Sequence, residues 1–151
     1  MPNTANVNIF NRRKNMKVKG FTLIELMVVI LIVGILAAAS VPMMRGRIDS
    51  AKWSEANATA GTIKSAVRVR FAETGSATGL TGTLSDADLQ NTLSFTAADL
   101  TGTYFGPEDY AITAVDSTSG QATVTVTGSQ TNAPSGTGTL SATGTWTIVS
   151  E

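Results

Sequence analysis

The side chains of this sequence whose placement could do chemistry are few, and carboxylates lead them. Glu25 stands at the head of fourteen consecutive residues without a polar side chain, 26–39. Further along come Asp86 with Asp88, Glu108 with Asp109, and Asp116, acids of the kind that bind calcium. Calcium needs six to eight converging oxygens, and the spacing has no resemblance to an EF-hand loop, so solvated loop acids are the expectation. The chain has neither cysteine nor histidine. That removes disulfides, thiolate nucleophiles, most zinc sites and every His-based catalytic triad. No catalytic set emerges from the remaining Asp, Glu, Ser, Thr, Lys and Tyr residues. The expectation is a protein without catalysis, metal or cofactor.

Glu25 therefore needs a physical account. Residues 21–44 are apolar apart from Thr22, Glu25 and Ser40. As a helix rising ~1.5 Å per residue they would span about 36 Å, enough for a hydrocarbon core of about 30 Å. An ionised carboxylate costs about 2.5–3.5 kcal/mol near the bilayer centre and less towards its edge. It either reaches the interface or finds an opposite charge. Upstream, Arg12, Arg13, Lys14, Lys17 and Lys19 are accompanied by no acid. Such a cluster beside an apolar segment favours cytoplasmic retention of the N-terminus during insertion. From Phe21 onward six Lys or Arg face eleven Asp or Glu, a mildly acidic body with no nucleic-acid footprint.

The elements that must position these groups follow from periodicity. Residues 1–20 have neither a helical nor a strand period and read as a leader, 21–44 as a transmembrane helix. In 45–74, Ala56, Ala60, Ile63, Val67 and Phe71 recur at helical spacing, with Lys52, Glu55, Lys64, Arg68 and Arg70 between them. The sequence thus predicts one helix from Phe21 to about Glu73, ended by Thr74 and Gly75. In 75–151 a connecting region comes first, where Ser85 with Asp88 and Thr96 with Asp99 suggest capped helical turns. From Tyr110 the period becomes two, through YAITAV, QATVTVT, GTLSA and TWTIV, which predicts an antiparallel meander of about four strands. Ile112, Val115, Val124, Val126, Leu140, Trp146 and Ile148 are its candidate buried face. Residues 128–138 read as a flexible loop. Trp53, Phe71, Tyr104, Phe105, Tyr110 and Trp146 are expected in the core or between subunits. The fold class is α+β, a long N-terminal helix packed on a small antiparallel sheet.

An ordinary secretory signal competes for the N-terminal third. The basic region, the apolar core and the small residues Ala37, Ala38 and Ala39 match its pattern, and cleavage there would release a secreted binding module beginning near Ser40. Glu25 is a cost that such a signal has no use for. Instead, residues 17–25, K-V-K-G-F-T-L-I-E, resemble the class III signal of type IV pilins and of the pseudopilins of type II secretion.

The resemblance implies a pilin-like fold and a structural role in a helical filament. It implies cleavage after Gly20 by a prepilin peptidase at the cytoplasmic face and N-methylation of the new terminal residue, Phe21. It implies that Glu25 pairs with the Phe21 ammonium of a neighbouring subunit, a register device, because a subunit displaced by one residue leaves the carboxylate unpaired. Gly34 and Pro42 fall where many pilins have helix-weakening residues. Implied partners are copies of the chain, related minor pilins or pseudopilins, the peptidase and an inner-membrane assembly platform. The implied path runs from a single-pass inner-membrane precursor, N-terminus in the cytoplasm, to a periplasmic or cell-surface filament. Pilus subunit and secretion pseudopilin share this stem and are both open readings. Met16 is an alternative start, because 16–20, MKVKG, already makes a short leader. The chain lacks the C-terminal cysteine pair of many pilins, so the loop it commonly staples must be held otherwise or stay mobile.

Overall fold

The computed structural model describes residues 20–150; residues 1–19, read above as a leader and with Met16 among them, lie outside the described residues. The first element, α1, is Leu23–Thr74. It starts two residues later than expected, after Thr22, and runs through positions 34 and 42. Its end is set by Gly75, whose φ of 67° is left-handed and whose amide donates to the Phe71 carbonyl at 2.8 Å. Glycine adopts that conformation without a Cβ penalty.

The chain divides into two compact units, Met1–Ser40 and Val41–Glu151. In the first, every described residue is exposed, including Leu23, Ile24, Leu26, Met27 and the apolar run behind them. The helix there is long and apolar enough to cross a membrane.

The second unit contains the core. One stripe of α1, Ala56, Ala60, Ile63 and Val67, is buried as the spacing predicts, Trp53 extends it by one turn, and Phe71 is half-buried. The stripe packs in one cluster with Ile112, Val124, Val126 and Leu140 of an antiparallel sheet. Full burial of each such Val, Ile or Leu side chain is worth about 1.5–3 kcal/mol. The sheet order is β1-β2-β3-β4-β5, where β1 is Gly82–Thr83, β2 Tyr110–Val115, β3 Ala122–Thr127, β4 Thr137–Leu140 and β5 Trp146–Val149. Four of the five are the expected meander. Two-residue β1 is an addition, pairing Gly82 with Ile112 and Thr83 with Ala111. In β3 the alternation is strict, with Ala122, Val124 and Val126 buried and threonines between them.

The connecting region forms two short helices, α2 (Ala87–Thr92) and α3 (Ala97–Leu100), followed by a 3-10 turn at Pro107–Asp109. They deliver Leu89, Leu93, Leu100 and Phe105 to the core. The cap of α2 is Asp86, not Ser85, its carboxylate accepting from the Asp88 amide at 2.9 Å. At α3 the expected pair is right: the Asp99 carboxylate accepts from the Thr96 hydroxyl (2.6 Å) and amide (2.8 Å), and these bonds hold its pKa below the usual carboxylate range.

Two expectations need correction. Ile148 is exposed, because the Trp146 ring of the edge strand β5 leans back over Gly138, the cross-strand partner of Ile148, and takes the space against Trp53. A Cβ on Gly138 would lie 2.5 Å from the Trp146 ring and 2.9 Å from that of Trp53. Trp53 and Trp146 stand 6.2 Å apart between ring centroids. The segment 128–138, read as a flexible loop, is loop through residue 136 with 129–132 exposed, but Pro134 and Gly136 are buried and its last two residues begin β4.

Candidate functional site

Glu25 sits in the first turn of α1. Its Oε2 accepts from the Thr22 amide at 2.9 Å and from the Thr22 hydroxyl at 2.7 Å, while its own amide donates to Thr22 Oγ1 at 3.3 Å. This is a reciprocal capping box, which satisfies amides that the start of a helix leaves without partners. Thr22-x-x-Glu25 is its sequence signature, which the conspicuous charge of Glu25 in an apolar run masks. The side chain is turned back onto its own backbone. Among the described residues Oε1 has no partner, so one carboxylate oxygen is free for a further donor.

The two residues before the cap, Gly20 and Phe21, lie outside the helix and are exposed. Among the described residues nothing lies within 4 Å of a Cβ placed on Gly20. Gly34 is equally open. Pro42 has no amide hydrogen, so the Ala38 carbonyl four residues back loses its helical donor. Two residues earlier, the Ser40 hydroxyl donates to the Leu36 carbonyl at 2.8 Å, a bond that competes with the backbone ladder.

The calcium candidates do not converge. Among the described residues no group of three or more acidic side chains is placed to hold a metal. Asp116 accepts from the amides of Thr118 and Ser119 and from the Ser119 hydroxyl, which holds it below the usual range, chiefly through Ser119. Asp109 is buried: one oxygen accepts from the Gly106 amide and the other from the Ser129 amide, both at 2.8 Å. It joins the 3-10 turn to the segment 128–136 and is a structural tie.

Other polar groups of α1 also hold the fold. Glu55 accepts from the Tyr104 amide at 3.0 Å. Lys64 donates to the carbonyls of Ser141 (2.9 Å) and Ala142 (2.5 Å) before β5, and burial, with Arg68 nearby, lowers its pKa. Burial likewise pushes the Tyr110 phenol up to about 12; the Thr59 hydroxyl near it offsets this only in part.

The prokaryotic N-terminal methylation motif matches residues 15–41. The chain is similar to the type IV narrow pilus major component PilA5 of Thermus thermophilus, 46% identical over 54 residues, which are 36% of this chain and 47% of that protein. It is similar to fimbrial protein EcpC of Eikenella corrodens, 47% identical over 57 residues, 38% of this chain and 37% of that protein. A fimbrial protein of Moraxella nonliquefaciens is 51% identical over 49 residues, 32% of either chain. The chain therefore spans less than half the length of the relatives it matches. No solved structure matches it.

Proposed function

We infer, on the premise that the N-terminal third of this chain belongs to the type IV pilin family, that the protein is the structural subunit of a type IV pilus or pilus-like filament and carries no catalysis. The observation behind this reading is one stretch of chain in which the methylation motif, an exposed apolar helix and a single capped carboxylate coincide. Residues 1–20 are the leader, 21–44 the assembly helix, 45–74 the stem and 75–151 the head. A prepilin peptidase of the inner membrane cuts after Gly20 and methylates Phe21. The subunit then waits as a single-pass membrane protein, N-terminus in the cytoplasm, until an assembly platform adds it to the filament.

Glu25 has two roles in sequence. In the waiting subunit Oε2 closes the helix cap, which shelters part of its charge. In the filament the remaining oxygen receives the Phe21 ammonium of a neighbour. A buried charge with one partner removed is strongly destabilising, so the pair selects a single register.

Mass spectrometry of the mature chain tests processing: methylated Phe21 at the N-terminus supports the reading, and a terminus at Ser40 replaces it with a secreted module. Gly20→Leu accumulates uncut precursor in the membrane fraction, because the larger side chain blocks approach to the scissile carbonyl. The stretch from Gly34 to Pro42, where a carbonyl is already without its donor, opens into extended backbone in the filament. A filament density map with an unbroken helix there refutes that opening.

A further inference from the structure

Charge is distributed along this chain more unevenly than folding requires. At average composition about ten Lys or Arg would fall within 81 residues. Residues 71–151 contain none, against eight acids. The six cations downstream of Gly20 all lie on α1. Lys52 approaches Asp49 at 3.8 Å and lies over the Tyr104 ring, Lys64 is bound to two carbonyls, and Arg70 pairs with Glu73 at 3.3 Å. Among the described residues Arg45, Arg47 and Arg68 have no ion pair.

Arg45 and Arg47 stand on a part of the second unit that its own head leaves bare. Val41, Met43, Met44 and Ile48 are exposed beside them, and the first buried residue of α1 is Trp53. Two guanidinium groups and Asp49 make this band too polar for hydrocarbon, while four large apolar side chains in one stretch mark a surface to be covered. On the head, Asp86, Asp99 and Asp116 spend their oxygens on caps and turns. Asp88 and Glu108 are exposed, and among the described residues their carboxylates accept no hydrogen bond. Heads that bear acids and no cation repel one another when crowded. The cations that relieve this repulsion are available on the stems.

We propose that in the assembled state the band of α1 around Arg45 and Arg47 docks on the acidic head of a second copy, with Asp88 and Glu108 as the receiving carboxylates. The inference rests on the pilin reading above. Its occupant is fixed by charge: the band needs an anionic, protein-like cover, and every copy carries one. Exposed pairs are individually weak, but each is repeated at every subunit, and a pair enclosed between packed surfaces is costly to break on one side.

The test is sheared-filament yield against total mature protein, by immunoblot, for the full chain in a host that assembles it. The double variant Arg45→Glu, Arg47→Glu loses yield about tenfold, the equivalent of about 1.4 kcal/mol per contact, while Arg45→Lys, Arg47→Lys keeps it. Asp88→Lys with Glu108→Lys also loses yield. Combining the two reversals in one chain restores it, as does expressing the two reversed chains together. All four positions are exposed, so an unchanged thermal melt of the detergent-solubilised variants confirms that they fold. Undiminished yield from the arginine reversal overturns the proposal, as does a loss that the combined variant does not restore. Filaments that dissolve in a chelator and ignore both reversals overturn it in favour of bridging divalent cations. If the unmodified chain is processed but yields no filaments under these conditions, the pilin reading falls and the inference with it.

Discussion

Replacing Glu25 by leucine abolishes filaments while the mature subunit persists in the membrane. Removing the carboxylate lowers the cost of the isolated helix in lipid, by at most the ~2.5–3.5 kcal/mol of a central charge, so the monomer is no less comfortable. What disappears is the partner for a neighbour's Phe21 ammonium, which is then buried without compensation at a cost of about 3–5 kcal/mol. Repeated at each addition, that cost stops growth. The capping box separates the two roles of the residue. Glu25→Gln keeps an acceptor for the Thr22 amide and hydroxyl but carries no charge, and it loses filaments as leucine does. Thr22→Ala removes the hydroxyl, costs the helix about 0.5–2 kcal/mol, and leaves filaments in place. Processing continues in both Glu25 variants, since the cut proposed after Gly20 lies five residues upstream of that position. Sheared-filament yield against total mature protein is the measurement, and normal yield from Glu25→Gln ends the pairing account.

Asp109→Ala is the change with the largest expected effect on the head. The carboxylate is buried and accepts the Gly106 and Ser129 amides, two donors twenty-three residues apart in sequence. Alanine strands the buried Gly106 amide, and an unsatisfied buried donor costs about 1–3 kcal/mol, whereas the Ser129 amide, on an exposed residue, can turn to water. A loss of about 1–3 kcal/mol lies in the main range of what destabilising single substitutions do. Thermal melts of the detergent-solubilised chain measure it. Asp109→Asn, which retains one acceptor oxygen, falls between the wild type and alanine. This tie, together with buried Pro134 and the Lys64 bonds to Ser141 and Ala142, holds segments for which the chain has no cysteine pair.

Much of the architecture was legible because it is local. The spacing of Ala56, Ala60, Ile63 and Val67 reports one face of a helix whatever it packs on, and the alternation in β3 reports one face of a sheet. The apolar run and its one carboxylate were equally plain. What escaped depends on contacts between distant residues. Asp109 looked like a loop acid until Ser129 was brought to it. Ile148 has the right period for burial, and only the Trp146 ring over Gly138 takes its place. Two-residue β1 is too short to leave a pattern. The Thr22–Glu25 box is local and its signature stands in the sequence, but the charge of Glu25 is the louder signal and its hydrogen bonds the quieter one.

Trypsin-like proteases require Lys or Arg before the scissile bond, and residues 71–151 offer none. Every tryptic site left after removal of the leader lies on α1, where helical backbone must unwind before it enters a protease. Lys64 is tied to two carbonyls and Arg70 to Glu73, while Lys52 and Arg68 adjoin the buried core residues Trp53 and Val67, so the vulnerable bonds are those after Arg45 and Arg47, on the bare band. Cleavage there detaches an intact head from its apolar helix, and the docking inferred above would cover both bonds. A subunit waiting in the membrane is thus open to release by digestion, whereas one enclosed among its neighbours is not.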